Sequence, residues 1–596
     1  MSDLGFLVRC FGSYRRDLVF AALLVVFEST LELFIPFLMA SIIDTGITTG
    51  DTSFILGRGA EMAACALLAL AFGLGYARFA ARAAMGLGAN LREAEYAQVQ
   101  RYAFSNLDHF EVSSLVTRMT TDVTVIQNAM TAGIRPMVRG PVMLVMGLVL
   151  ASLMNARLAI VFFVMLPILA IALSFIVRHV GPLYRLLQSA MDQVNDVVQE
   201  NLTAIRAVKA YVRGEYEEER FGVVNERLAS TATTTFRYAV LNMPAFQFAM
   251  YTSCVLILWL GGQMILAGTL QVGALTGFMS YVLQIMNSLM MISNVFLLLA
   301  RALTSVHRVS EVLDEEPAIE SASDAIDVVP SGSVEFRDVS FRYRASARED
   351  VLEHISLSFA AGITVGVLGG TGAGKTSLVQ LIPRLYDVSA GSVFVGGHDV
   401  REYDLVALRD AVGIVLQNNV LFTGTVRENL LWGNEQASDE DILEACHLAC
   451  VDEFLGRIGG LDGDLGQGGV NVSGGQKQRL CIARTLIKHP RVLIFDDSTS
   501  AVDMATDAKI RTELAGVSDV TKIIIAQRVN SVMDADQIVI LDDGRVHATG
   551  THAELLAHDP IYQELYESQV GPATTADEGV VAPDSVGVAV GGGRNA

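Results

Sequence analysis

A bundle of six membrane-crossing helices fused to an α/β domain built on a phosphate-binding loop is the fold this 596-residue sequence predicts. Three observations carry that prediction. Six apolar runs before position 310 are long enough to cross a bilayer, which takes about 20 residues each. Beyond 310 the pattern turns to short β-branched runs alternating with helical segments. Within that second part lies GGTGAGKT at 369–376, a Gly-rich loop behind an apolar run.

The first run covers roughly 18–43 and the second roughly 60–83. A third and fourth, about 137–154 and 157–178, are separated only by a turn at Asn155, and the last pair covers about 241–267 and 272–300. Composition agrees: 52% hydrophobic residues, 18% charged residues and a mean hydropathy of +0.42 are what spans diluted by soluble sequence produce. A formal charge of −21 argues against a nucleic-acid partner and is read as solubility of the non-membrane part. The N-terminus, MSDLGFLVRCFGSYRRDL, lacks a cleavage site and reads as an amphipathic helix on the cytoplasmic membrane face. Six scattered cysteines without ligand spacing are expected to be core thiols.

Basic residues set the orientation. Arg9, Arg15 and Arg16 precede the first span. Arg92, Arg101, Arg118, Arg135 and Arg139 fall between spans two and three, and Arg178, Arg185, Arg206, Lys209 and Arg213 between spans four and five. Both termini are therefore expected in the cytoplasm of a multi-pass inner- or plasma-membrane protein. Segments 84–136 and 179–240 are periodic enough to continue the spans as long cytoplasmic helices, with tips near Ser105–Thr117 and Thr203–Glu215. The expected division is a transmembrane domain over 1–313, a linker over 314–332, a nucleotide-binding domain over 333–568 and a disordered tail over 569–596.

The loop motif explains itself chemically. Gly369, Gly370, Thr371, Gly372, Ala373 and Gly374 let the backbone curl so that its N–H groups face phosphates, and Lys375, Thr376 and Ser377 open the following helix. Lys375 is placed to reach the β- and γ-phosphates of ATP, and Thr376 to offer a hydroxyl to Mg²⁺. RVLIFDD at 491–497 supplies the second acidic site, with Asp496 holding Mg²⁺ through water.

Between them stands NVSGGQKQR at 471–479. With Ser473, Gly474, Gly475 and Gln476 in this position, residues 1–568 resemble an ATP-binding cassette (ABC) exporter half-transporter of the type I exporter fold. The resemblance implies further roles. Tyr343 would stack on adenine, Gln417 would sense Mg²⁺ and the membrane domain, and Ser500-Ala501-Val502-Asp503 would contact the opposite subunit. Gln467 would lie in the segment touching the helix tips. It also implies a head-to-tail dimer in which each ATP is held between one subunit's phosphate loop and the other's signature.

Two positions depart from the family pattern. Asp497 stands where a catalytic Glu is usual, and Gln527, in IIIAQRVNSV, stands where the switch histidine is usual. Asp withdraws its carboxylate by on the order of 1 Å, and misplacement on that scale costs about 10²-fold in rate. Gln neither carries a positive charge nor relays a proton, as His does. The pattern resembles the degenerate-site subunit of a heterodimeric multidrug-type exporter, whose partner carries Glu and His. On this reading the chain binds ATP, hydrolyses it slowly and lends Ser473 and Gly475 to the partner's site.

The fused order resembles that of exporters rather than importers, and the resemblance implies alternating-access export, with hydrophobic or amphipathic, drug- or lipid-like cargo expected. Two alternatives are an exporter-shaped importer, for example of an iron chelate, and a non-transporting, ATP-regulated membrane protein. Met243, Phe246, Phe248, Met250, Met279, Met286, Met290 and Met291, with Gln247, Gln284, Asn287 and Asn294, offer either an adaptable cargo surface or ordinary helix packing. Glu28 and Glu32 fall one turn apart inside the first span, where a carboxylate is a candidate for cationic cargo or a gate.

Overall fold

A computed structural model describes residues 3–344, 347–497 and 502–570. It divides into two compact units. One comprises residues 1–101 and 110–316; the other comprises 102–109 and 317 onward.

The first unit is all-helical. After α1 (Asp3–Cys10), α2 (Arg15–Ser41) carries the first span and passes through one π-helical stretch before α3 (Thr52–Arg101). At 50 residues α3 is about 75 Å long, more than twice what the hydrocarbon core requires. At the first tip the chain passes through α4 (Phe104–His109), which belongs to the second unit, and α5 (Val112–Thr117), then returns through α6 (Val123–Met154). Asn155 then turns it into α7 (Ala156–Thr203) by accepting the N–H groups of Arg157 and Leu158, each at 3.1 Å, as an N-cap. The second tip, α8 (Ile205–Ala210), exposes Tyr211 and Val212 at its end. The chain comes back along α9 (Gly214–Ala239) into α10 (Asn242–Leu266) and α11 (Val272–Asp314). Among the described residues, six helical segments have the length and apolar character to cross a membrane.

Non-local caps pin these helices. Asp44 accepts the N–H groups of Gly273 and Ala274 at 2.5 and 2.9 Å, tying the first span to the start of α11. Gly273 is required there, because a Cβ would come within 2.3 Å of the Ala40 carbonyl oxygen. The buried Tyr281 hydroxyl donates to the Leu33 carbonyl at 2.9 Å. The core of this unit absorbs Phe246, Met286 and, at its margin, Met250, Met279 and Met290. Much of the Met-rich set is therefore helix packing, whereas Met243 and Phe248 remain exposed.

Among its described residues the second unit has two sheets. A four-stranded antiparallel sheet in the order β2-β1-β4-β5 comprises β1 (Val334–Phe341), β2 (Leu352–Phe359), β4 (Ala390–Val395) and β5 (His398–Asp399). The six-stranded sheet runs β10-β9-β3-β8-β7-β6. Its members are β3 (Thr364–Gly369), β6 (Val412–Val415), β7 (Val492–Asp496), β8 (Thr521–Ile525), β9 (Gln537–Asp542) and β10 (Arg545–Gly550). All neighbours pair in parallel except β9 and β10. Strands covered on both faces read as continuous apolar runs, and β7 is buried at every residue. One hydrophobic cluster gathers around β3 and the antiparallel sheet. A second collects the helices near the signature and includes the buried Cys446, Cys450 and Cys481.

Candidate functional site

Parallel strands deliver their carboxyl ends to one edge of a sheet, and that edge is where ligands gather in α/β domains. Here four neighbouring strands, β3, β8, β7 and β6, end side by side. They place there the phosphate loop after Gly369, Gln527 two residues beyond Ile525, Asp496 and Asp497 at the end of β7, and Gln417 two residues beyond Val415.

The loop is shaped by its glycines. Gly369 has φ +155°, and a Cβ on it would meet the Leu541 carbonyl oxygen at 2.2 Å. Gly374 has φ +89° and leaves 2.7 Å between an imagined Cβ and Leu352. A short helix, α12 (Lys375–Gln380), follows at once. Lys375 Nζ donates to the carbonyls of Gly369 and Gly370 at 2.8 and 2.7 Å, so the ammonium lies across the loop it belongs to. Burial pushes its pKa below the ordinary lysine range, with Asp497 and Asp496 opposing that shift.

Thr376 Oγ1 donates to Asp496 Oδ1 at 2.8 Å. Asp496 is only 1% exposed, and burial raises its pKa against the help of the Thr376 hydroxyl. A hydroxyl and a carboxylate, hard oxygens left short of solvation, form a donor set suited to Mg²⁺. Asp497 is also raised by burial, opposed by a bond from Gln527, whose Nε2 donates to Asp497 Oδ2 at 2.8 Å. The two departures from the family pattern therefore face each other directly. Asp497 adopts φ +46°, a left-handed conformation that a short acidic side chain tolerates better than most.

Tyr343 joins this assembly through its hydroxyl, 2.7 Å from Ser377 Oγ, and the residue is 40% exposed. Its edge meets Tyr386 at 5.2 Å between centroids. Sequence reasoning missed Tyr386. Its hydroxyl donates to Asp108 Oδ2 at 2.7 Å, and Phe104 packs edge-on against it at 5.9 Å. Within this unit α4 is thus seated on Tyr386 beside the candidate adenine position. Gln467, which the resemblance assigned to tip contact, is exposed at the start of a single helical turn.

The signature residues are not brought to the loop. Ser473 caps the helix Gly474–Leu486 in a capping box: its N–H donates to Gln476 Oε1 at 2.8 Å, and its Oγ accepts from Gln476 N at 3.4 Å. That helix belongs to the second hydrophobic cluster, whereas the loop belongs to the first. Ser473 and Gly474 are exposed. Ser500 and Ala501 lie outside the described residues, as does the tail from 571; Val502 is buried, and Asp503 caps the next helix through Thr506 N at 3.0 Å.

Residues 18–289 match the family model described as ABC transporter transmembrane region, and residues 352–500 match the one described as ABC transporter. The chain belongs to the ABC transporter family. It is an exporter half-transporter, a multi-pass membrane protein whose nucleotide domain powers transport with ATP. It is 38% identical over 552 residues to the uncharacterized ABC transporter ATP-binding protein YfiB of Bacillus subtilis, covering 92% of this chain and 96% of that one. It is 31% identical over 477 residues to the ATP-dependent lipid A-core flippase of Desulfotalea psychrophila, covering 80% of this chain and 83% of that one. A bacterial Atm1-family ABC exporter solved with ATP bound superposes with a TM-score of 0.78 at 25% identity, covering 94% of this chain and 99% of that one.

Proposed function

We propose that this half-transporter is the slow-hydrolysing member of an asymmetric exporter pair that moves hydrophobic or amphipathic, drug- or lipid-like compounds out of the cytoplasm. The observation that carries the reading is the Asp497–Gln527 contact, which fills the catalytic position with a shortened carboxylate and a neutral amide.

Binding and turnover separate on this chain's residues. Lys375 and the loop N–H groups would hold the phosphates, Tyr343 the adenine, and Thr376, Asp496 and Gln417 the Mg²⁺. When bound, that ion neutralises developing phosphate charge. Asp497 would hold its carboxylate about 1 Å short of where Glu would place it against the attacking water, and the neutral amide of Gln527 cannot take up and release a proton as His does. The capped Ser473-Gly474-Gly475-Gln476 turn, exposed at Ser473 and Gly474, is suited to complete the partner's phosphate site. Both termini would face the cytoplasm, and closure of the nucleotide domains would turn the cavity outward through the rigid α3, α6, α7 and α9. The flippase relative supports lipid-like cargo.

Co-expression with a second half-transporter that carries Glu and His at the equivalent positions tests this. The pair is expected to hydrolyse ATP about 10²-fold faster than this chain alone. Equal rates overturn the asymmetric reading.

A further inference from the structure

The first and third spans meet through charge. Arg135 on α6 donates through Nη2 to Glu28 Oε1 on α2, and Arg139 donates through Nη2 to Glu32 Oε2 and through Nη1 to Glu32 Oε1 at 3.3 Å. Arg139 Nη1 also stands 3.6 Å from Glu28 Oε1. Counting from Leu18, Glu28 is about 15 Å along α2, near the middle of a core about 30 Å thick. The sequence placed these arginines at the cytoplasmic edge and left the carboxylates as candidates for cationic cargo or a gate; the structure pairs both carboxylates with arginines.

The cluster borders a cavity of about 480 Å³ lined by Glu28, Glu32 and Arg135, with Ile35, Leu70 and Leu74 among its apolar walls. Access to the charges is uneven. The Glu28 side chain is 4% exposed, and its Oε2 has no hydrogen-bond partner. Gly73 makes room for it, since a Cβ there would stand 3.2 Å from Glu28 Oε1. Arg139 is spent on two carboxylates. Arg135 is 43% exposed; its Nε is buried and one Nη2 hydrogen goes to Glu28, which leaves the other Nη hydrogens for a ligand. The charge most available to the cavity is therefore a guanidinium, and the walls above it suit a hydrocarbon tail.

We infer that this intramembrane cleft is a cargo site for the anionic head, carboxylate or phosphate, of an amphiphile, with Arg135 as its recognition group. The inference rests on the exporter reading for the word cargo, while the binding it asserts is measured without ATP.

The full-length chain in phosphatidylcholine nanodiscs is titrated with 11-(dansylamino)undecanoate, its methyl ester and a trimethylammonium analogue of equal length. The anionic probe is expected to bind at least about tenfold more tightly than the ester. Arg135→Gln is expected to abolish that preference, Arg135→Lys to retain most of it, and Ala66→Trp, which fills the cavity wall without touching a charge, to weaken the anionic probe in a chain of unchanged melting temperature. Inorganic phosphate at millimolar concentration is expected not to displace the probe. Equal affinity for the three probes, tighter binding of the cation, an unaltered preference in Arg135→Gln, or displacement by free phosphate each overturns the proposal. Charge-selective binding without ATP-dependent flux would leave the site standing and remove the exporter reading instead.

Discussion

Replacing Asp497 by Glu and Gln527 by His restores the two groups that the family pattern places at the catalytic edge. In this chain Gln527 Nε2 sits 2.8 Å from Asp497 Oδ2, so the two side chains are already neighbours and the exchange happens inside one contact. Extending the carboxylate by one methylene recovers a displacement of about 1 Å, which is worth about 10²-fold in rate. At 1.36 kcal/mol per tenfold, that is about 2.7 kcal/mol of activation free energy. Histidine adds a group that titrates near neutral pH. The left-handed φ of +46° at residue 497 opposes this, because Glu tolerates that conformation less well than Asp, at a cost of about 1 kcal/mol. The net expectation is a gain of about 10- to 100-fold in kcat for the double variant, with Asp497→Glu alone giving the larger single share. Because the signature turn is intact, two copies of this chain contain every other part of a composite site, so the purified chain suffices for the assay. Steady-state phosphate release from wild type, both single variants and the double variant is measured in the same nanodiscs, with Mg-ATP binding measured in parallel. If wild type already turns over as fast as the double variant at equal nucleotide occupancy, the substitutions do not limit hydrolysis and the reasoning fails.

Three further outcomes follow from the same geometry. Lys375→Ala removes the ammonium that bridges the loop carbonyls and is expected to weaken ATP binding by at least about tenfold, read by equilibrium nucleotide binding on a chain of unchanged fold. The Tyr386–Asp108 bond predicts a coupling of about 1 kcal/mol in a Tyr386→Phe, Asp108→Asn double-mutant cycle followed by thermal unfolding, and additive effects would deny it. Burial raises the pKa of Asp496 and Asp497, so the nucleotide-free protein binds protons there more tightly folded than unfolded. Those two groups should therefore add stability as pH falls through their raised values toward the ordinary carboxylate range, while Mg-ATP affinity drops over the same window; parallel melting and binding curves at stepped pH check both signs.

The six spans were legible because hydrophobic length is a local property, and the phosphate loop because glycine, lysine and threonine at fixed spacing serve one local geometry. Asn155 is another such case, a cap whose partners are two and three residues away. What the sequence hid depends on residues far apart in the chain. Arg135 lies 107 positions from Glu28, and nothing local distinguishes it from a basic residue at a membrane edge. Tyr386 is 278 positions from Asp108, and its neighbours carry no motif. The methionines of the last spans show what composition leaves open: it fitted a ligand surface and ordinary helix packing alike, and only the fold shows Met286 buried in the helix core. Ser473 marks the boundary between the two kinds of knowledge. Its capping box is local and visible, but the phosphate it would contact belongs to another subunit.

The central claim, that this half retains ATP while its partner turns it over, is tested most directly by photolabelling the co-purified pair with 8-azido-ATP carrying a γ-phosphate label. After several turnovers the account predicts that the label stays on this chain and is lost from its partner. Loss of the γ-label from both chains at the same rate would contradict it.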